Sequence, residues 1–133
     1  MPQLSDVMRS DPIVVAPEDT LGEVAERMSE VNVGAVVVKD YCRLIGILTE
    51  RDMLKAMAAR VHTSEARVRQ WMTESVITID PETTVEEAAK MMFEKNFRHL
   101  PVCKDGRLLG IVSLRRLSQY EFEHAKESVG PAH

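Results

Sequence analysis

The sequence predicts a mixed α/β (α+β) fold in which two small β-α-β-β-α units pack together. Three observations predict it. The chain repeats itself at a fixed offset, each copy carries a threonine–glutamate helix-start signal, and each predicted helix is followed by a pair of short β-type apolar runs. A shift of 64 positions aligns the halves without a gap. Met8 falls on Met72, Ile13 on Ile77, Pro17 on Pro81, Thr20 on Thr84 and Glu23 on Glu87. Met28 falls on Met92, Asn32 on Asn96, Val38 on Val102, Gly46 on Gly110, Ile47 on Ile111 and Arg51 on Arg115. Each copy has roughly fifty residues, too few to bury a comfortable core alone, so the two are expected to share apolar faces.

The elements follow in order. The runs Ile13-Val14-Val15 and Val76-Ile77-Thr78-Ile79 read as first strands, each ended by a proline, Pro17 or Pro81. Thr20-Leu21-Gly22-Glu23 and Thr84-Val85-Glu86-Glu87 read as capping boxes. The helix after the first shows Leu21, Val24, Ala25, Met28 and Val31 on one face, and its counterpart shows Val85, Ala88, Ala89 and Met92. Strand pairs are expected at 35–38 with 44–48 and at 100–103 with 108–112, the second joined by the turn Lys104-Asp105-Gly106. Second helices start near Thr49 and Ser113. The stretch 61–70 lacks glycine and proline and is expected to be a largely helical linker, with Ser64 a candidate cap. The repeats thus span 5–60 and 71–120. The tail 121–133 should extend the last helix until Gly130-Pro131.

Composition narrows the function. The chain has 133 residues, 44% of them hydrophobic, and a net charge of −4. That acidity argues against sequence-independent nucleic-acid binding, which needs a broad basic face. No leader pattern and no membrane-length apolar run is visible, so the expected setting is cytoplasmic. Cys42 and Cys103 read as buried or half-buried thiols of a reducing compartment rather than a disulfide. The histidines, His62, His99, His124 and His133, are scattered, and no catalytic or metal-ligating constellation stands out. Eight methionines could signal an adaptable surface, but Met28 and Met92 fall on core stripes.

The segment Gly46-Ile47-Leu48-Thr49-Glu50-Arg51-Asp52 resembles the signature of CBS (cystathionine-β-synthase-type) domains, Gly-apolar-x-Thr/Ser-x-x-Asp. Arg98-His99-Leu100-Pro101-Val102 resembles the opening of that family's second strand, and Val7-Met8 and Trp71-Met72 resemble its lead-in. The resemblance spans about residues 5–118 and implies a stand-alone tandem pair, a Bateman module: two repeats packed pseudo-symmetrically into a disc with two clefts. Such modules bind an adenine nucleotide or adenosyl ligand and regulate a partner.

On residue chemistry, Thr49 to Asp52 is a helix start, where unpaired amides and the helix dipole suit a phosphate. The Thr49 hydroxyl can donate to a phosphate, and Asp52 can accept from a ribose diol. Plain capping explains the same two residues. The resemblance adds Ile47, Val76, Ile77 and Phe97 around the adenine, and Arg98 and Arg115 near the phosphates. Core packing would equally explain the apolar members, and an ion pair with Glu94 would explain Arg98. The second copy keeps Gly110 and Ser113 but places Arg116 where Asp52 stands. Arginine has no acceptor for ribose hydroxyls, so a second, weaker cleft is expected, with Ile13, Val33, Arg51, Ser113 and Arg116.

The implied role is a non-enzymatic sensor that needs no cofactor and takes AMP, ADP or ATP as ligand, with NAD and S-adenosylmethionine ranked behind. Its expected partners are a second copy of the chain, because the apolar faces exceed what two small repeats bury, and an unidentified target protein. Two alternatives stand beside it: a structural dimerisation module with a vestigial cleft, and a binder of RNA or a cyclic dinucleotide.

Overall fold

A computed structural model describes residues 2–74 and 76–129. The described residues fall into two compact units, one drawn from Pro12–Val76 and the other from Met1–Asp11 with Ile77–His133. The expected Gly130-Pro131 stop and His133 lie outside the described residues.

In the Pro12–Val76 unit, β1 (Val14–Val15) precedes α1 (Leu21–Val31), the hairpin β2 (Ala35–Asp40) and β3 (Arg43–Thr49), and α2 (Glu50–Ala58). A short α3 (Val68–Trp71) follows. β1 pairs parallel to β2, and β2 pairs antiparallel to β3, with Val37 opposite Ile47. The capping box of α1 is complete: the Glu23 amide donates to the Thr20 hydroxyl, and the Glu23 carboxylate accepts from the Thr20 amide and hydroxyl. Those donations, the hydroxyl's first, lower the Glu23 pKa from its ordinary value. Leu21, Val24 and Met28 bury the inner face of α1 against Val36, Val38 and Leu48. Ala25 and Val31, expected on that face, are exposed. Asn32 closes the helix in the left-handed conformation that asparagine tolerates.

The other unit repeats the plan with α4 (Val85–Lys95), the hairpin β4 (His99–Lys104) and β5 (Arg107–Ser113), and α5 (Leu114–Val129). Val85, Ala88 and Met92 bury α4 against Leu100, Val102, Val112 and Leu117. Asp105 and Gly106, both at positive φ, form the hairpin turn read from the sequence. Two expectations fail here. The predicted strand over 76–79 is reduced to one parallel bridge, Ile79 to Val102. The box at Thr84 is half formed: the Glu87 amide reaches the Thr84 hydroxyl, but no reciprocal bond closes it.

The folded units do not coincide with the sequence repeats, because the lead-ins are exchanged. Residues 2–9, which lead into and open the first repeat, pack with the body of the second. The Leu4, Ser5 and Val85 amides donate to the carbonyls of Thr83, Pro81 and Pro2. The same three bonds recur in the Pro12–Val76 unit, where Val68, Arg69 and Leu21 donate to Asp19, Pro17 and Ala66. The linker is therefore not the expected helix. Of residues 61–70 only Val68 onward is helical, and Ser64 caps nothing. The reason is that its carbonyls serve another helix: Ala66 and Thr63 accept from Leu21 and Gly22, two amides of the first turn of α1. Leu4 has no exposed surface and sits in the core with Val85 and Leu117. Leu4→Ala is accordingly expected to cost about 2–5 kcal/mol in a denaturant melt. An unchanged midpoint would show that this segment is a loose arm.

Cys42 is exposed at the β2–β3 turn, contrary to the expected buried thiol, because the hairpin reverses there; Cys103 is half-buried. No helix among the described residues is long and apolar enough to cross a membrane.

Candidate functional site

β3 runs directly into α2, so the chain turns from strand to helix at Thr49, and its extended backbone makes it the N-cap. The Glu50 amide donates to the Gly34 carbonyl at 2.9 Å. The Asp52 amide donates to the Thr49 hydroxyl at 3.3 Å, and the Asp52 carboxylate returns to the Thr49 amide at 2.9 Å and accepts from its hydroxyl at 3.1 Å. The Thr49 proton is thus turned toward Asp52, and a phosphate would have to compete for it.

Asp52 is 7% exposed, an unusual degree of burial for a carboxylate. A buried carboxylate needs several donors. Two of them are the amide and hydroxyl of Thr49, whose hydroxyl the sequence reading had aimed at a phosphate instead, and the third was not foreseen. Thr73 donates its hydroxyl to the carboxylate, 3.3 Å from Oδ1 and 3.4 Å from Oδ2. Its backbone pairs both ways with Ile47, by bonds of 3.1 and 2.9 Å. The signal for it was the lead-in itself, since Trp71-Met72 ends one residue earlier. Oδ2 takes three bonds and Oδ1 takes only the Thr73 share, which leaves Oδ1 with acceptor capacity.

The same geometry explains the signature glycines. A Cβ on Gly46 would lie 2.8 Å from Met72 Sδ and 3.0 Å from the Thr73 carbonyl oxygen. One on Gly110 would lie 2.5 Å from the Arg9 carbonyl oxygen. The glycines are needed because the lead-in crosses the strand at backbone contact.

The remaining expected residues divide between the units. Ile47 is buried, Val76 half-buried and Arg51 exposed in the Pro12–Val76 unit, where Ile13 and Val33 pack on the core around Val24. In the other unit Ile77 is 37% exposed, Phe97 packs on the core, and Arg98 and Arg115 are exposed. Among the described residues Arg98 makes no ion pair with Glu94; the pairs found are Arg69–Glu18 and Lys104–Glu82. The Ser113 hydroxyl accepts the Arg116 amide at 3.0 Å, so the cap survives in the second copy while the acid does not. Arg9 pairs there with Ile111 as Thr73 pairs with Ile47. Among the described residues no group of side chains is arranged to hold a metal ion.

A β-α-β-β-α unit and a second that keeps the α-β-β-α part of the plan, with exchanged lead-ins, one with a hydroxyl–acid helix start and one with an altered copy, define a tandem-repeat α+β protein. The CBS domain model matches residues 4–59 and 68–123, and the chain belongs to the CBS-domain family. An uncharacterized 17.7 kDa protein of Acidianus ambivalens is 39% identical over 88% of this chain and 71% of its own length. The CBS domain-containing protein YhcV of Bacillus subtilis is 30% identical over 99% of this chain and 93% of its own. Among solved structures, the CBS-domain containing protein ATU1752 from Agrobacterium tumefaciens superposes with a TM-score of 0.82 at 31% identity, covering 90% of this chain and 98% of that one. The CBS domain pair of protein MJ0100, in complex with 5′-methylthioadenosine and S-adenosyl-L-methionine, superposes with a TM-score of 0.83 at 26% identity, covering 93% of this chain and 98% of that one.

Proposed function

We propose that this CBS-domain pair is a non-enzymatic sensor that binds an adenosyl ligand through Thr49 and Asp52 and signals its presence to a partner protein. The observation that carries this reading is the Asp52 carboxylate, buried at the start of α2 with acceptor capacity left on Oδ1. A ribose diol offers two donors to such an acceptor. The adenosyl ligands on the MJ0100 pair support the ligand class. Ile47 and Val76, in the same unit as Asp52, are proposed to face the adenine. The Ser113 and Arg116 helix start, with no acid, is proposed to be the weaker site.

Calorimetric titration of nucleotide-free protein with AMP, ADP, ATP, NAD, S-adenosylmethionine and methylthioadenosine tests this. Saturable binding near one site per chain is expected. Absence of heat with all six would leave the structural reading, a dimerisation module. One observation favours self-association in either case: Leu54 and Met57 on α2, Phe93 on α4 and Phe122 on α5 are 65–72% exposed. Sedimentation at micromolar concentration should give a homodimer, and a monomer throughout the range would end that proposal.

A further inference from the structure

We infer that Thr73 is a positioning residue for Asp52 and thereby sets the preference of the site for a ribose that carries both hydroxyls; the inference rests on the adenosyl reading above. A carboxylate held from one side can still turn about its last torsion, and a terminal torsion of this kind is broad. Asp52 is held from two sides. Thr49 binds Oδ2 from the helix start, and Thr73 reaches both oxygens from the lead-in. Thr73 cannot drift, because its amide and carbonyl are both paired to Ile47, five residues before Asp52 on the strand that leads into α2. The hydroxyl therefore fixes the plane in which Oδ1 presents its remaining lone pairs.

The internal repeat supports treating the two residues as one device. At the positions of Thr73 and Asp52, the other copy has Arg9 and Arg116. The backbone pairing that holds Thr73 is kept at Arg9, by bonds of 2.9 and 3.0 Å to Ile111. The cap is kept as well, in the bond from the Arg116 amide to Ser113. The acceptor and its hydroxyl partner are both exchanged, while the glycine, the capping hydroxyl and the backbone pairing around them are kept. If Thr73 served packing alone, its replacement would have no reason to track that of the acid.

The test compares the affinities of AMP and 2′-deoxy-AMP for the full chain. Wild type should prefer AMP by roughly tenfold or more, the weight of a hydrogen bond to a charged group. Thr73→Val, which keeps shape and strand preference, should cut that preference to about threefold or less, and Thr73→Ser should retain it. In an Asp52→Ala background, where no acceptor is left to position, Thr73→Val should change nothing further. A Thr73→Val protein with the wild-type preference would overturn the inference and leave the adenosyl reading intact. A further loss in the Asp52→Ala background would overturn it too, by making Thr73 a direct ligand contact. Wild-type protein that binds neither nucleotide would sink both.

Discussion

Asp52→Ala is expected to lower the affinity for any adenosyl ligand by at least tenfold while the chain still folds. A hydrogen bond to a charged acceptor is worth about 1.5–3 kcal/mol, or roughly 10- to 150-fold in a dissociation constant, and a ribose makes two with one carboxylate. The substitution also removes one side of the α2 capping box, which costs about 1 kcal/mol of stability. The two effects separate in the measurements. If Asp52 is only a cap, the melting temperature falls and the titration is unchanged. If it is the ribose acceptor, both fall. Arg116→Asp is the complement: it restores the acid to the second helix start, where Ser113 already provides the cap, but without a Thr73 equivalent at Arg9.

Gly110→Ala is expected to be the more damaging of the two signature-glycine substitutions, destabilising by about 1–3 kcal/mol or more. The new methyl would sit 2.5 Å from a backbone oxygen, that of Arg9, which is paired both ways with Ile111 and has nowhere to go. At Gly46 the nearest atom is the Met72 sulfur at 2.8 Å, the far part of a flexible side chain, and the Thr73 oxygen is at 3.0 Å. Gly46→Ala should therefore cost less. Chemical denaturation of the two variants checks the order. Equal midpoints would mean that the glycines answer to something other than the lead-in. Because Gly46 also adjoins Thr73, its alanine variant should weaken ligand binding as well, whereas Gly110→Ala should affect stability first.

Much of the fold was legible because it depends on local patterns that the repeat displays twice. Thr20 and Glu23, the stripe of Leu21, Val24 and Met28, and the Asp105-Gly106 turn each act over a few residues, and their periodicity is visible in one dimension. The candidate site was half legible for the same reason: Thr49 and Asp52 are three residues apart and meet within one helical turn. Thr73 was not, because it meets Asp52 across 21 residues of chain. The misread linker has the same origin. Residues 61–67 carry no helix breaker, yet the Thr63 and Ala66 carbonyls are committed to the amides of α1, a demand that local propensity does not register.

By itself, then, the sequence determined the repeat, the two hairpins with their flanking helices, most of the core stripes, the family and the asymmetry between Asp52 and Arg116, all of which are properties of neighbouring residues or of one copy laid on the other. Only the tertiary structure decided that each lead-in folds with the other copy's body, that Gly46 and Gly110 are there to admit it, and that Thr73 holds Asp52. Those are contacts between segments distant in sequence, where buried backbone and carboxylate groups must find partners wherever the packed chain brings them.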